Sequence, residues 1–175
     1  GTKETLALYP IFQQSKTPVF LIKKPLLGTH FIRQLQSLAS VLVIEDNLLN
    51  LHLMKLFFQQ LGVRIDCAPT LKEAKEKLET GIHHYYFIFS DIYLPDGSTK
   101  ELPEYVRKLC RSIGRKTVRV AAITAHASQN EVDQYEQAGF VKVLAKPIRI
   151  EDLQKILKRE LPHELWRNPF PDEED

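Results

Sequence analysis

Glycine is scarce in this chain. There are seven in 175 residues, and the nearest pair, Gly81 and Gly97, lie sixteen apart. No glycine-rich loop is therefore present to cradle the phosphates of a nucleotide, and a nucleotide-dependent kinase acting through this chain alone is not expected. Cysteine is scarcer: Cys67 and Cys110 are far apart and form no C-x-x-C. A disulfide framework is excluded, and two single buried thiols in a reducing cytosol are the expectation. Long apolar runs are also missing. Val19–Ile22 is the longest near the N-terminus and stops at Lys23 and Lys24, far below the roughly 20 apolar residues of a membrane helix. No apolar core follows a basic start, so no secretory leader is expected, and a membrane segment of any longer parent protein would lie outside the chain. A net charge of +2 is too small to argue for nucleic acid. The acidic run Asp172–Asp175 is expected to be a solvated tail. What is present is an ordinary globular balance, 43% hydrophobic and 26% charged. The length suits one domain plus an appendage.

Residues 41–161 alternate between strand and helix signals. Val41–Ile44 is wholly apolar, as a strand buried on both faces should be. Leu49, Leu53, Leu56 and Phe57 give a helical stripe over 48–61, closed by Gly62. Arg64–Ala68 reads as a second strand. Thr70-x-x-Glu73 opens a helix that stops at Gly81. Tyr85–Ser90 is aromatic and apolar, a third strand, and a loop over 91–99 carries Pro95, Asp96 and Gly97. A helix to about Ser112 precedes Gly114, and Arg119–Ile123 is a fourth strand. Ser128-x-x-Glu131 is a second capping box, with Gly139 closing its helix; Val141–Leu144 is the fifth strand, and a last helix runs over Glu151–Leu161. Five strands alternating with five helices predict an α/β fold, a doubly wound parallel sheet with helices on both faces. Ligands of such sheets bind at the carboxyl ends of the strands. The residues there are Glu45, Asp46, Asp91, Thr124 and Lys146.

Three carboxylates converging on one rim repel one another unless a cation lies between them. A hard divalent ion with oxygen ligands, Mg²⁺, is the expected cofactor. An aspartate, a hydroxyl, an ammonium and Mg²⁺ together suit phosphoryl transfer. Each residue alone has a plainer reading: Asp91 as a cap or turn residue, Thr124 as a turn residue, Lys146 as a surface lysine. His83, His84, Tyr85 and Tyr86 resemble a ligand cluster, but lie at the wrong end of the third strand and are read as turn and strand residues. His52 and Met54 are read as surface or packing residues of the first helix, and Asn47 as its cap.

Ile44-Glu45-Asp46-Asn47, Asp91-Ile92-Tyr93-Leu94-Pro95-Asp96, Ile123-Thr124-Ala125 and Lys146-Pro147 resemble, in order and placement, the motifs of response-regulator receiver domains. The resemblance covers about residues 40–161 and implies a five-stranded sheet in the order 2-1-3-4-5. It implies that Asp91 is the phosphoacceptor, assisted by Lys146 and Thr124. It implies that Mg²⁺ is held by Asp46, Asp91, the backbone carbonyl of Tyr93 and, through water, Glu45. A cis peptide before Pro147 is expected from the same likeness. Asp46-Asn47-x-x-Asn50 and Ala138-Gly139-Phe140 before Lys146-Pro147 resemble receivers attached to hybrid sensor histidine kinases. That context implies as partners a phosphohistidine domain of a kinase or a histidine phosphotransfer domain. It also implies a cytoplasmic location, with membrane contact only through an upstream sensor region. The receiver would catalyse its own phosphorylation and dephosphorylation, while the kinase core, with its phosphoacceptor helix, is not seen in this chain. The alternatives are a stand-alone response regulator and a pseudo-receiver that only binds proteins. A haloacid-dehalogenase-like phosphatase needs a second aspartate where this chain has Tyr93. Three departures from the receiver pattern stand out: Val143 where many receivers carry an aromatic switch residue, Thr99 where glycine is common, and Tyr93 with His126 at variable positions beside the site.

Residues 1–39 echo the end of a receiver. Leu21–Leu26 parallels Val143–Ile148 at an offset of 122, and 6–16 then falls on a helix. A helix–strand–helix segment is expected, either the end of a preceding receiver-like domain or a linker. Residues 162–175, with three prolines, read as a linker and acidic tail.

Overall fold

The computed structural model describes residues 40–162 and two short strands, Leu8–Pro10 and Phe20–Ile22. Within 40–162, the apolar run Val41–Ile44 forms β1, with all four side chains fully buried. Its neighbours are β2 (Ile65–Ala68) and β3 (Phe87–Asp91), followed outward by β4 (Arg119–Thr124) and β5 (Lys142–Ala145). All pairings in this five-stranded sheet are parallel, in the order β2-β1-β3-β4-β5. That is the 2-1-3-4-5 order of the receiver resemblance. Tyr93–Leu94 and Gly97–Ser98 pair antiparallel in the loop after β3. The helices are α1 (Leu48–Gln60), α2 (Leu71–Gly81), α3 (Leu102–Ser112), α4 (Gln129–Gln137) and α5 (Ile150–Glu160).

Successive strand residues face opposite sides, so the sheet makes two cores. Val41, Val43, Phe87 and Phe89 pack with Met54 and Phe58 of α1 and Leu153, Ile156 and Leu157 of α5. Leu42, Ile44 and Ile88 pack with Ala74 and Leu78 of α2, Val106 and Cys110 of α3 and Tyr135 of α4. Each fully buried large side chain contributes about 1.5–3 kcal/mol of hydrophobic stabilisation. This three-layer scaffold is what holds the strand ends in place.

Several local expectations shift. The buried stripe of α1 is Leu51, Met54 and Phe58, while Leu49 and Leu56 face outward at 76% and 44% exposure. Both stripes have helical spacing, and only the position of the sheet decides between them. The third strand begins at Phe87 rather than Tyr85, because Ile82–His84 form a 3₁₀ turn that ends in Tyr85, and it extends to Asp91. Ser128 and Glu131 make the reciprocal capping box. Thr70 caps α2 through the Glu73 N–H alone, and the Asp96 carboxylate takes the N–H groups of Leu71 and Lys72 at 2.8 and 2.9 Å. The loop after β3 is thereby tied to the start of α2. Both thiols are free, Cys110 buried and Cys67 half-buried.

Leu8–Pro10 and Phe20–Ile22 pair antiparallel, Leu8 opposite Ile22 and Pro10 opposite Phe20. A strand within Val19–Ile22 agrees with the sequence reading. The helix expected over 6–16 is corrected at 8–10, which are extended. Pro10 cannot donate a helical hydrogen bond and its ring obstructs the preceding turn, while Tyr9 favours extended backbone. The rest of the expected helix–strand–helix segment, and the acidic tail, lie outside the described residues.

Candidate functional site

The strand register brings the rim together. Ile44 pairs with Ser90, Asp91 with Ile123, and Thr124 with Ala145. Glu45 follows β1 directly, Asp91 ends β3, Thr124 ends β4 and Lys146 follows β5, so all four stand at the carboxyl edge of the sheet. Asp46 continues from Glu45 toward α1, whose start is capped by Asn47 accepting from the Asn50 N–H at 3.0 Å. Ligand oxygens of Glu45, Asp46 and Asp91 all lie within 4.8 Å of one another.

Lys146 Nζ sits between two of these carboxylates, 2.5 Å from Asp91 Oδ2 and 2.9 Å from Glu45 Oε2. The contact to Asp91 is a hydrogen bond. That to Glu45 is an ion pair without hydrogen-bond alignment, which leaves the buried Oε2 without a donor. Burial pushes the Glu45 carboxyl up, against the Asn47 N–H and Lys146, which lower it, and the Asp91 charge adds to the rise. Burial would lower Lys146, but its close contacts and charge interactions with Asp91 and Glu45 outweigh this and hold its pKa above the usual lysine value. The ammonium is therefore fixed as a cation. The Lys146–Pro147 peptide is cis.

Asp91 Oδ1 accepts from the Tyr93 N–H at 3.2 Å. Thr124 is 3% exposed; its hydroxyl accepts from the His126 N–H at 3.2 Å, and its carbonyl accepts from the Lys146 N–H at 2.9 Å. Tyr93 and His126 thus flank the site. Two residues that the sequence reading did not assign to the site also touch Asp91: the hydroxyls of Ser90 and Thr99 both donate to its backbone carbonyl. The Ser90 bond reaches the next residue and the Thr99 bond reaches eight residues back, and neither leaves a periodic trace in sequence. His83 and His84 lie in the turn before β3, at the opposite end from Asp91, and take no part.

An acidic cluster of hard oxygen donors, one of them buried and without a donor, is chemically suited to a divalent cation such as Mg²⁺. A carboxylate beside a fixed ammonium and a hydroxyl is suited to accepting a phosphoryl group. Residues 41–158 match the profile of the response regulator receiver domain.

The chain belongs to the response regulator receiver domain family. This receiver is 28% identical over 120 residues to the peroxide stress-activated histidine kinase mak3 of Schizosaccharomyces pombe, covering 68% of this chain and 5% of that protein. It is 30% identical over 121 residues to the aerobic respiration control sensor protein ArcB of Escherichia coli, covering 69% of this chain and 15% of ArcB. The chain thus spans only a small part of the curated relatives it matches. Among solved structures it is similar to the receiver domain of the sensor histidine kinase PA1611 of Pseudomonas aeruginosa, at 27% identity and a TM-score of 0.58, covering 70% of this chain and 96% of that one. That domain was crystallised with a magnesium ion coordinated in its active-site cleft. The receiver is also similar, at 25% identity and a TM-score of 0.62 over 69% of this chain and 87% of the other, to a chain in the complex of Saccharomyces cerevisiae Ypd1, a histidine phosphotransfer protein, with the receiver domain of Ssk1.

Proposed function

We propose that this receiver takes a phosphoryl group from a phosphohistidine onto Asp91, within a phosphorelay protein of the hybrid sensor histidine kinase type. The observation that carries the reading is the Lys146 ammonium held against Asp91 Oδ2 within the three-carboxylate cluster. A carboxylate oxygen of Asp91 attacks phosphorus, the P–N bond of the donor breaks, and the imidazole leaves with its electron pair and is protonated. The Lys146 ammonium neutralises charge on the transferred oxygens, and the Thr124 hydroxyl donates to them. Asp46, Asp91, the Tyr93 carbonyl and, through water, Glu45 are the residues that would hold Mg²⁺, which when bound supplies countercharge to the phosphoryl oxygens. The chemistry at Asp91 is complete within the domain, whereas the phosphoryl donor is a separate protein or domain.

The exposed start of α1 supports such a partner. Leu48 and Leu49 are 80% and 76% exposed beside Asp46, and Leu49, His52 and Leu56 continue as an outward stripe at i, i+3 and i+7. An apolar stripe next to an acidic rim suits an amphipathic helix that carries a phosphohistidine. The Ypd1–Ssk1 complex and the histidine kinase relatives favour this partner class. In such a protein the receiver works in the cytoplasm, with any membrane contact made upstream.

Incubation with acetyl phosphate and Mg²⁺, read by intact-protein mass spectrometry, tests the reading. One phosphoryl adduct is expected, absent in Asp91→Asn. Label that persists in Asp91→Asn would move the phosphoacceptor elsewhere, and no label on the wild type would favour a pseudo-receiver.

A further inference from the structure

Thr99 occupies a position where the receiver pattern favours glycine, and it is buried to 1% exposure. Its hydroxyl donates to the Asp91 carbonyl at 2.7 Å, and its backbone N–H donates to the Ile92 carbonyl at 2.9 Å. One residue therefore grips both peptide planes that flank Ile92. The first plane is held elsewhere too: the Ser90 hydroxyl donates to the same Asp91 carbonyl at 2.9 Å, and the Ile92 N–H donates to the Ile123 carbonyl at 3.2 Å. With two hydroxyls on one carbonyl, both its lone pairs are used. The second plane carries the Tyr93 N–H, which donates to Asp91 Oδ1 at 3.2 Å. The Tyr93 N–H and the Lys146 ammonium thus hold the two carboxylate oxygens of Asp91, on a main chain that Thr99 holds through its N–H at Ile92 and through its hydroxyl at Asp91 itself. A glycine at this position would supply the backbone bond and not the hydroxyl.

We propose that Thr99 is a positioning residue for phosphoryl transfer, its hydroxyl clamping the Asp91 main chain so that the carboxylate is presented to phosphorus in one orientation. This rests on the reading of Asp91 as phosphoacceptor. Small misplacements of a reacting group cost up to about 10²-fold in rate, and loss of one hydrogen bond alone corresponds to about fivefold.

The test compares Thr99→Val, which keeps the shape and removes the hydroxyl, with Thr99→Ser, which keeps the hydroxyl. Acetyl phosphate labelling of Asp91 at saturating Mg²⁺ is expected to slow about fivefold to tenfold in the valine variant and to stay within about twofold of wild type in the serine variant. The Asp91 carbonyl ¹³C resonance should move upfield in the valine variant and hold its place in the serine variant. Thr99→Ala carries the same expectations if the valine variant does not fold. Labelling of the hydroxyl-free variant at the wild-type rate would overturn the proposal, as would a serine variant as slow as valine, because the retained hydroxyl would then not be what sets the rate. If the wild type takes no label on Asp91, the phosphoacceptor reading fails instead. The carbonyl resonance then decides the clamp: a shift confined to the hydroxyl-free variant supports it, and identical resonances overturn it.

Discussion

Neutralising Asp46 should make the metal-free protein more stable while removing its response to Mg²⁺. Glu45, Asp46 and Asp91 place ligand oxygens within 4.8 Å of one another, and Lys146 offsets them, in contact with Glu45 and Asp91. Two unit charges 4.8 Å apart interact by about 0.9 kcal/mol in water and about 3.5 kcal/mol at an effective dielectric of about 20. Asp46 is exposed, so its two like-charge pairs lie toward the lower figure, and Lys146 offsets part of them. Asp46→Asn is therefore expected to stabilise the metal-free domain by about 1–2 kcal/mol. Mg²⁺ acts in the other direction. With few direct carboxylates and several retained waters, its affinity should be on the order of millimolar. At about 10 mM Mg²⁺ the wild type then gains about 1.4 kcal/mol, or roughly 5 °C in Tm. Asp46→Asn should gain little. Urea denaturation followed by far-UV circular dichroism, with EDTA or with Mg²⁺, gives both quantities. The reasoning is refuted if the variant is less stable than wild type in EDTA, or if Mg²⁺ stabilises it equally.

Burial, with His84 and Arg115 nearby, pushes His83 down to about 4, and burial also lowers His84. Both are held neutral in the fold but take up protons near pH 6.5 when unfolded, so stability should be full above that pH and fall as the pH drops toward 4. Discounted for the partial exposure of His83, its share is about 1–2 kcal/mol, and His83→Gln should flatten the slope in urea melts between pH 7 and 4.5. Tyr85 is 3% exposed and donates to Asp66 Oδ2 at 2.7 Å; Tyr85→Phe should cost about 1–2 kcal/mol in the same assay, and an unchanged midpoint would show that this bond adds nothing. Val143 is stiff and has no ring to swing toward Thr124, so beryllofluoride with Mg²⁺ should leave the sedimentation coefficient that of a monomer, whereas dimerisation abolished by substitutions on α4 would point to a stand-alone regulator.

The fold was legible where burial acts on both faces of an element. Val41–Ile44 has no polar residue to interrupt it because it lies between α1 and α5 on one side and α2 and α3 on the other. Capping residues were legible because their hydrogen bonds are local: Asn47 to Asn50, Thr70 to Glu73, Ser128 with Glu131. The inward face of α1 was not legible. Leu49, Leu53 and Leu56 repeat at the same period as Leu51, Met54 and Phe58, and periodicity fixes a period rather than a direction. Leu49 and Leu56 are apolar yet exposed, which is why they mislead a reading based on burial. At Leu8–Pro10 a register argument over some thirty residues placed a helix, and the local chemistry of Pro10 prevailed.

The site divides along the same line. Glu45, Asp91, Thr124 and Lys146 were legible because the ends of a parallel sheet's strands are where side chains with unusual chemistry collect, and three acids with one lysine on that rim have few structural uses. Their cost supports this. Glu45 is fully buried, its carboxyl is pushed up by burial, and its Oε2 has an ion contact in place of an aligned donor. A position selected only for packing would not keep such a group. Ser90 and Thr99 have the opposite character. Each hydroxyl is satisfied and each residue is buried, so Ser90 left no signal in sequence, and Thr99 showed only as a departure from the common glycine with no role attached. The residues proposed to bear the chemistry show themselves by what they cost the fold, whereas the role proposed for Thr99 is hidden because its hydrogen bonds are complete. Such a role is found only once the main-chain carbonyl that the hydroxyl holds is located, here at the proposed phosphoacceptor.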